Sequence, residues 1–154
     1  MTALADVRDF LAQKRLAVVG VSRQPRDFSR SLFREFLQRG YDAVPVNPQA
    51  GDIEGRTCFP DLDAIQPPVD TVLLMTSPAV TDQTVRDCAR LGVRRVWMYQ
   101  AHPPGAVSKD AVEFCLSNGI AVVPGECPMM FLSDTGWFHR FHGSLKKLFG
   151  SYPS

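Results

Sequence analysis

The sequence predicts an α/β protein with a doubly wound, mainly parallel sheet of five to six strands and helices on both faces. Two observations carry this prediction. Short continuous apolar runs recur along the chain, and such runs are typical of strands buried on both faces of a parallel sheet. They alternate with segments whose apolar residues have helical spacing, and strands separated by helices form right-handed βαβ units.

The predicted strands are apolar runs that end at glycine, proline or small polar residues. The first run, Leu16 to Val21, is interrupted only by Gly20. Five runs are long enough to be strands of the sheet, and a sixth is very short. They lie at residues 16–21, 43–46, 70–75, 95–98 and 120–123, with the very short strand at 57–59.

The predicted helices lie between these runs. An opening helix presents Leu4, Val7 and Leu11 on one face. The next begins near Phe28 and Ser29, and its apolar face consists of Phe28, Leu32, Phe33, Phe36 and Leu37. One helical turn is expected at 61–65. A further helix has Pro78 in its first turn, and another is capped by Ser108. The pattern as a whole is Rossmann-like.

Length and composition are those of one domain. The chain has 154 residues, 45% of them hydrophobic, and a formal net charge of +1. This charge argues against a sequence-independent nucleic-acid binder, which needs a basic surface. No apolar run approaches the ~20 residues of a membrane span, so the expected compartment is the cytoplasm.

The last residues differ from the rest in pattern. We expect a binding domain over 1–132 and an amphipathic tail over 133–154. The tail's aromatic and aliphatic residues recur at helical spacing, which predicts a helix packed on the domain, across a homodimer or on a partner. A membrane-surface role is less favoured, because Gly143 interrupts the helix and the cations are few. His139 and His142 lack a third metal ligand.

The loop after the first strand is the best candidate for a binding site, because ligands of open α/β sheets bind beyond the carboxyl ends of the strands. Gly20 permits a tight turn, and Ser22 can hydrogen-bond a phosphate oxygen. Arg23 and Arg26 can add charge-assisted bonds. The following helix, near Ser29, would direct free N–H groups at the same phosphate. Alternatively, Gly20 is only a turn glycine and both arginines are solvated.

Several motifs are absent. The dinucleotide fingerprint G-x-G-x-x-G does not follow Gly20, and the second strand ends in Val46-Asn47-Pro48 without the acidic residue that holds a nicotinamide dinucleotide's ribose. A P-loop and a convincing catalytic constellation are also missing. Cys127 follows Glu126, and a neighbouring negative charge raises the pKa of a thiol rather than activating it. No catalytic or metal-binding residues are therefore assigned.

Short motifs in a fixed order add a family resemblance. They extend over about residues 14–130 and include Ala17 to Ser22, Gly40-Tyr41, Val44 to Pro48, Val96-Trp97-Met98 and Cys127-Pro128. In these motifs the chain resembles the stand-alone CoA-binding proteins, which are similar to the N-terminal domain of the succinyl-CoA synthetase α subunit. The synthetase's phosphorylated histidine belongs to a second domain, so the resemblance does not imply ligase activity.

The resemblance implies coenzyme A as the ligand, in a cleft across the strand ends. The loop from Gly20 through Val21 and Ser22 to Arg23 would hold the phosphate-rich end. The other implied cleft residues are Val46, Asn47 and Pro48 in the nucleotide region, with Thr76, Ser77, Pro78, Met98 and Tyr99 at the border.

Three hypotheses follow for the function. The first is a non-catalytic module that binds or senses CoA or an acyl-CoA. The second is an enzyme, either an NAD(P)-linked oxidoreductase or a CoA-thioester enzyme that uses Cys127. The third is an interaction protein whose tail recruits a partner.

Overall fold

The computed structural model describes residues 3–49, 51–101 and 105–133. Strands and helices alternate through them in the predicted order. The strands are β1 (Arg15–Val19), β2 (Asp42–Val46), β3 (Asp52–Ile53), β4 (Arg56–Thr57), β5 (Thr71–Leu74), β6 (Arg95–Met98) and β7 (Ala121–Pro124). The helices are α1 (Leu4–Leu11), α2 (Phe28–Gln38), α3 (Pro78–Arg90), α4 (Lys109–Ser117) and α5 (Met129–Ser133), with a 3-10 turn at Leu62–Ala64.

Five strands form one parallel sheet in the order β2-β1-β5-β6-β7. The chain moves outward from β1 to β2 on one side and from β5 to β7 on the other. The strand order therefore reverses between β1 and β5, and the carboxyl ends of all five strands lie at one edge. The predicted Rossmann-like α/β fold is confirmed.

The very short strand expected at 57–59 differs from the observed arrangement. Arg56 and Thr57 pair antiparallel with Asp52 and Ile53 in a small hairpin outside the main sheet. Phe59 makes only an isolated parallel bridge to Val46. The reason lies in the hairpin turn at Glu54 and Gly55, where φ is +53° and +76°. Two successive positive φ values give a tight two-residue turn, which folds the segment back on itself.

Helices cover both faces of the sheet. On one face, α1, α2 and α5 pack on Val18, Leu73 and Trp97; on the other, α3 and α4 pack on Val72 and Val96. Adjacent strand residues alternate between the two faces, as the pleat requires. Both faces are therefore apolar, which explains the continuous hydrophobic runs.

Cys88 and Cys115 are buried in the core beneath α3 and α4, as predicted. Burial raises the pKa of both thiols, that of Cys115 to about 11. Both cysteines therefore act as small hydrophobic residues.

Within residues 3–133, apart from the undescribed positions 50 and 102–104, no helix is both long and apolar enough to cross a membrane. The tail expected at 133–154 lies outside the described residues except for Ser133, the last residue of α5.

Candidate functional site

Gly20 lies where the strand order reverses, immediately after β1. Its φ is +97°, and its N–H donates to the carbonyl oxygen of Val46 at 3.0 Å. A Cβ at this position would lie 2.5 Å from the carbonyl oxygen of Met75, at the end of the neighbouring β5. Such a distance is well inside van der Waals contact, so the close approach of the two chain segments requires glycine.

An open cleft of about 340 Å³ lies beside Gly20, at the carboxyl ends of β1, β5 and β6. Its walls come from the loop before α2, the end of β5 and the segments around Tyr99 and Gly105. The lining residues are Gly20, Ser22, Asp27, Phe28, Ser29, Met75, Thr76, Tyr99, Gly105 and Ala106. Five predicted site residues are thus brought together: Gly20, Ser22, Ser29, Thr76 and Tyr99.

Ser22 and Ser29 are linked within the wall of the cleft. The Ser22 N–H donates to Ser29 Oγ at 2.9 Å, and the Ser29 hydroxyl donates to Asp27 Oδ1 at 2.7 Å. The Ser22 hydroxyl accepts from the N–H of Gln24 at 3.0 Å, which leaves its own proton available to a ligand. Ser22 can therefore contact a phosphate, whereas the hydroxyl of Ser29 is already engaged in holding the loop.

Asp27 is a cleft residue that the sequence analysis missed. Its carboxylate caps α2 by accepting from the Ser29 N–H at 2.9 Å. One of the helix N–H groups expected to face a phosphate is therefore already occupied, and a negative charge lines the cleft. An acidic residue just before an apolar helix is a common N-cap signal, so the sequence did contain the information.

Arg23 and Arg26 lie in the exposed loop between β1 and α2. Within the described ranges, neither guanidinium has an ion-pair or hydrogen-bond partner. Neither residue lines the cleft. Both residues have long cationic side chains and belong to the same loop as Gly20 and Ser22. They can therefore add positive charge near an anionic ligand.

The residues after β2 support the site from outside the cleft. Asn47 Nδ2 donates to the carbonyl oxygen of Val21 at 2.8 Å, and its Oδ1 accepts from the N–H of Gln49 at 2.8 Å. Val46 is buried and Pro48 is exposed. None of these three predicted residues lines the cleft, so Asn47 connects the end of β2 to the loop after β1.

At the end of β5, only Thr76 of the three predicted residues lines the cleft. Its Oγ1 lies 2.6 Å from Oγ1 of the fully buried Thr81. Ser77 caps α3 by accepting from the Val80 N–H at 3.4 Å, and Pro78 is the first residue of that helix. Ser77 and Pro78 therefore begin the helix rather than forming the cleft wall.

An aromatic pair forms another side of the cleft. The rings of Phe28 and Tyr99 lie 5.8 Å apart between centroids, with planes inclined at 33°. Phe28 is 44% exposed, so its expected place on the core face of α2 is wrong. It is the first residue of the helix, where helical spacing does not distinguish a core-facing from a cleft-facing side chain. Met98 and Val21, by contrast, are fully buried in the cores of opposite sheet faces.

The titratable groups near the cleft are weakly suited to nucleophilic chemistry. Cys127 is half-buried, and burial raises the pKa of its thiol. The direction of this shift is the expected one, although its cause is burial rather than the Glu126 carboxylate. Burial also raises the pKa of Tyr99. Among the described residues there is no His, Cys, Asp or Glu cluster able to hold a metal ion.

The sequence profile of a known family, described as "CoA binding domain", matches residues 14–133. The chain belongs to this family. The match begins one residue before β1 and ends with α5, so it includes the whole sheet and the cleft. The resemblance noted in the sequence is therefore confirmed, and the protein is a CoA-binding domain protein.

Known relatives share this domain in two settings. The uncharacterised protein YneT of Bacillus subtilis is 25% identical over 124 residues, which cover 80% of this chain and 89% of YneT. An ADP-forming acetate–CoA ligase of Archaeoglobus fulgidus is 27% identical over 93 residues, which cover 59% of this chain but only 14% of the ligase. A solved structure of a hypothetical protein from Pyrococcus horikoshii OT3 superimposes with a TM-score of 0.76 at 27% identity, covering 86% of this chain and 90% of that one.

Proposed function

We propose that the CoA-binding domain holds CoA, or an acyl-CoA, in the cleft beside Gly20 as a non-catalytic binding or sensing module. The observation that carries the proposal is the open cleft of about 340 Å³ beside Gly20, at the switch point of the sheet. Family membership supports CoA as the ligand.

The proposal divides the predicted residues by role. Gly20, Ser22, Thr76 and Tyr99 line the cleft and are proposed to touch the ligand. Arg23 and Arg26 are proposed to close on the phosphates from the exposed loop. The remaining residues would shape the site through the backbone or through packing: Val21, Ser29, Val46, Asn47, Pro48, Ser77, Pro78 and Met98.

Two features favour holding the ligand over transforming it. The carboxylate of Asp27 is occupied by Ser29, and burial raises the pKa of the nearby Tyr99 and Cys127 groups. A thiol with a raised pKa is a poor nucleophile near neutral pH. The CoA-thioester alternative is tested by Cys127→Ser: loss of any thioester turnover in that variant would favour the enzyme over the binding module.

Calorimetric titration of the full chain with CoA, acetyl-CoA, NAD and NADP tests the proposal. We expect binding of CoA or acetyl-CoA and none of the dinucleotides, because β2 ends in Val46-Asn47-Pro48 without the acidic residue that holds a nicotinamide dinucleotide's ribose. Binding of NAD or NADP without CoA would overturn the proposal in favour of an oxidoreductase-like domain.

The position of the ligand is tested by Ser22→Asp. A carboxylate in the cleft wall would face the phosphates, and we expect CoA binding to be abolished. Ser117→Asp is the matched control, because it adds the same charge at the exposed end of α4. Retained affinity in Ser22→Asp would mean that CoA binds elsewhere on the protein.

A sensing role requires that ligand binding be communicated to another molecule. We propose residues 133–154 as the segment that pairs two copies or recruits a partner. We also propose that the protein is located in the cytoplasm. Deleting these residues and measuring the oligomeric state with and without CoA tests this role. An unchanged oligomeric state, together with unchanged partners, would count against it.

A further inference from the structure

Arg30 is a buried cation directly behind the loop that follows β1. The residue is 9% exposed, although it lies in the first turn of α2. Its Nη1 donates to two loop carbonyl oxygens, that of Ser22 at 3.3 Å and that of Arg23 at 3.2 Å. One guanidinium therefore fixes the direction of two successive peptide groups in the wall of the cleft.

Glu54 holds this guanidinium from the far side. Its Oε2 accepts from Arg30 Nη2 at 2.6 Å and from Arg30 Nε at 3.1 Å, and Arg34 Nη1 donates to the same oxygen at 2.9 Å. The hydrogen bond from Arg30 lowers the pKa of Glu54. The carboxylate thus lies between two neighbouring cations and offsets part of their mutual repulsion.

The backbone of Glu54 is in an unfavourable conformation for its residue type. Its φ is +53°, in the left-handed region, at the first position of the β3–β4 turn. Asparagine and glycine are strongly preferred in such turns, and a glutamate there is strained. The preferred asparagine would be too short to replace the extended carboxylate. The strain is therefore retained at the position where a long acidic side chain reaches Arg30.

The orientation of the loop carbonyls has a consequence for the cleft. Because Arg30 draws the carbonyl oxygens of Ser22 and Arg23 toward the protein interior, their partial negative charges are held on one side of the loop. Within the described ranges, the N–H group of the exposed Arg23 donates to no protein acceptor. Free N–H groups in a loop at a strand end can bind an anion.

We propose that Glu54 and Arg30 form a positioning pair that orients the 20–23 loop for the phosphates of its ligand. Neither residue touches the ligand; Glu54 acts through Arg30, and Arg30 acts through the loop carbonyls. The inference rests on the proposed function, since it concerns how the same cleft recognises phosphate. The inference adds that phosphate recognition depends on the β3–β4 hairpin, which lies outside the main sheet.

Glu54→Asn and Glu54→Gln test the pair, because neither change removes a core side chain. Loss of the carboxylate leaves the buried Arg30 guanidinium without its ionic partner, so both variants should lower the midpoint of urea unfolding. Measured where the variants are folded, the affinity for CoA should fall about tenfold, the size of effect that loss of one charge-assisted hydrogen bond gives. A purely structural role would lower stability and leave the affinity of the folded protein for CoA unchanged. Glu35→Gln is the matched control: it removes a carboxylate that accepts from Arg39 at 2.6 Å on the same helix.

Amide hydrogen exchange in the unliganded protein gives a second readout that does not depend on CoA. Both Glu54 variants should speed exchange in the 21–27 segment, and Glu35→Gln should not. Unchanged exchange in that segment, or unchanged or tighter CoA binding by the Glu54 variants, would overturn the positioning role. A wild-type protein that binds no CoA would instead overturn the proposed function, and with it the phosphate role of the loop.

Discussion

Replacing Gly20 by alanine is the most direct perturbation of the contact between β1 and β5. Two costs arise. A φ of +97° is unfavourable for any residue with a Cβ, at about 1–2 kcal/mol. The added methyl group would also lie 2.5 Å from the carbonyl oxygen of Met75, and overpacking of this kind costs about 1–3 kcal/mol more. We therefore expect Gly20→Ala to lower the free energy of unfolding by about 2–5 kcal/mol.

Gly40→Ala separates these two costs. Gly40 has a similar φ of +86°, but no atom lies within 4 Å of its added Cβ. This variant should carry only the conformational cost of about 1–2 kcal/mol. The difference between the two variants in urea unfolding therefore measures the contact with Met75.

The same pair of variants separates stability from ligand binding. Relief of the contact requires β1 and β5 to move apart at the floor of the cleft, so Gly20→Ala should also weaken CoA binding, measured under conditions where both variants are folded. Gly40→Ala should bind like the wild type. The reasoning would be refuted if Gly20→Ala proved no less stable than Gly40→Ala and bound CoA with full affinity.

Three further predictions concern residues that line the cleft or lie near it. Asp27→Asn keeps an N-cap while removing a negative charge, so CoA should bind more tightly, by up to about tenfold at low salt and less at high salt, in calorimetric titrations. Thr76→Val leaves the buried Thr81 hydroxyl without its partner and should cost about 1–3 kcal/mol in urea unfolding, whereas Thr76→Val with Thr81→Val should recover part of this loss. Alkylation of Cys127 should be slower at pH 7.5 than that of a free cysteine, and its rate should still rise at pH values above the free-thiol pKa of about 8.5, because burial raises the pKa of this thiol. Fast alkylation at neutral pH would contradict the last prediction.

Patterns within single segments predicted the fold well. Apolar runs identified all five strands of the sheet because both of its faces are buried, and Gly20 within the first run marked the loop that lies at the switch point. The very short strand at 57–59 was misjudged because its residues are suited to a strand but the Glu54-Gly55 turn determines which partner they pair with. A turn with two positive φ values is hard to recognise when its first residue is glutamate.

The site was predicted less completely, since its contacts join distant parts of the chain. Phe28 fits the apolar spacing of α2, yet it faces Tyr99 across the cleft. Arg30 is an ordinary helix residue in the sequence, and its burial depends on Glu54, which is 24 residues away. Such pairings follow from the way the hairpin packs beside the first helix turn, and no local pattern specifies them.

The common direction of the five strands has a practical use. The cleft occupies the edge formed by the carboxyl ends, and Lys14 is exposed at the opposite edge, just before β1. At about 3.3 Å per residue, a strand of this length separates Lys14 from Gly20 by roughly 20 Å. A fluorophore attached through Lys14→Cys would therefore lie far from the cleft and would not block ligand entry. The same edge is suitable for tethering the protein to a sensor surface.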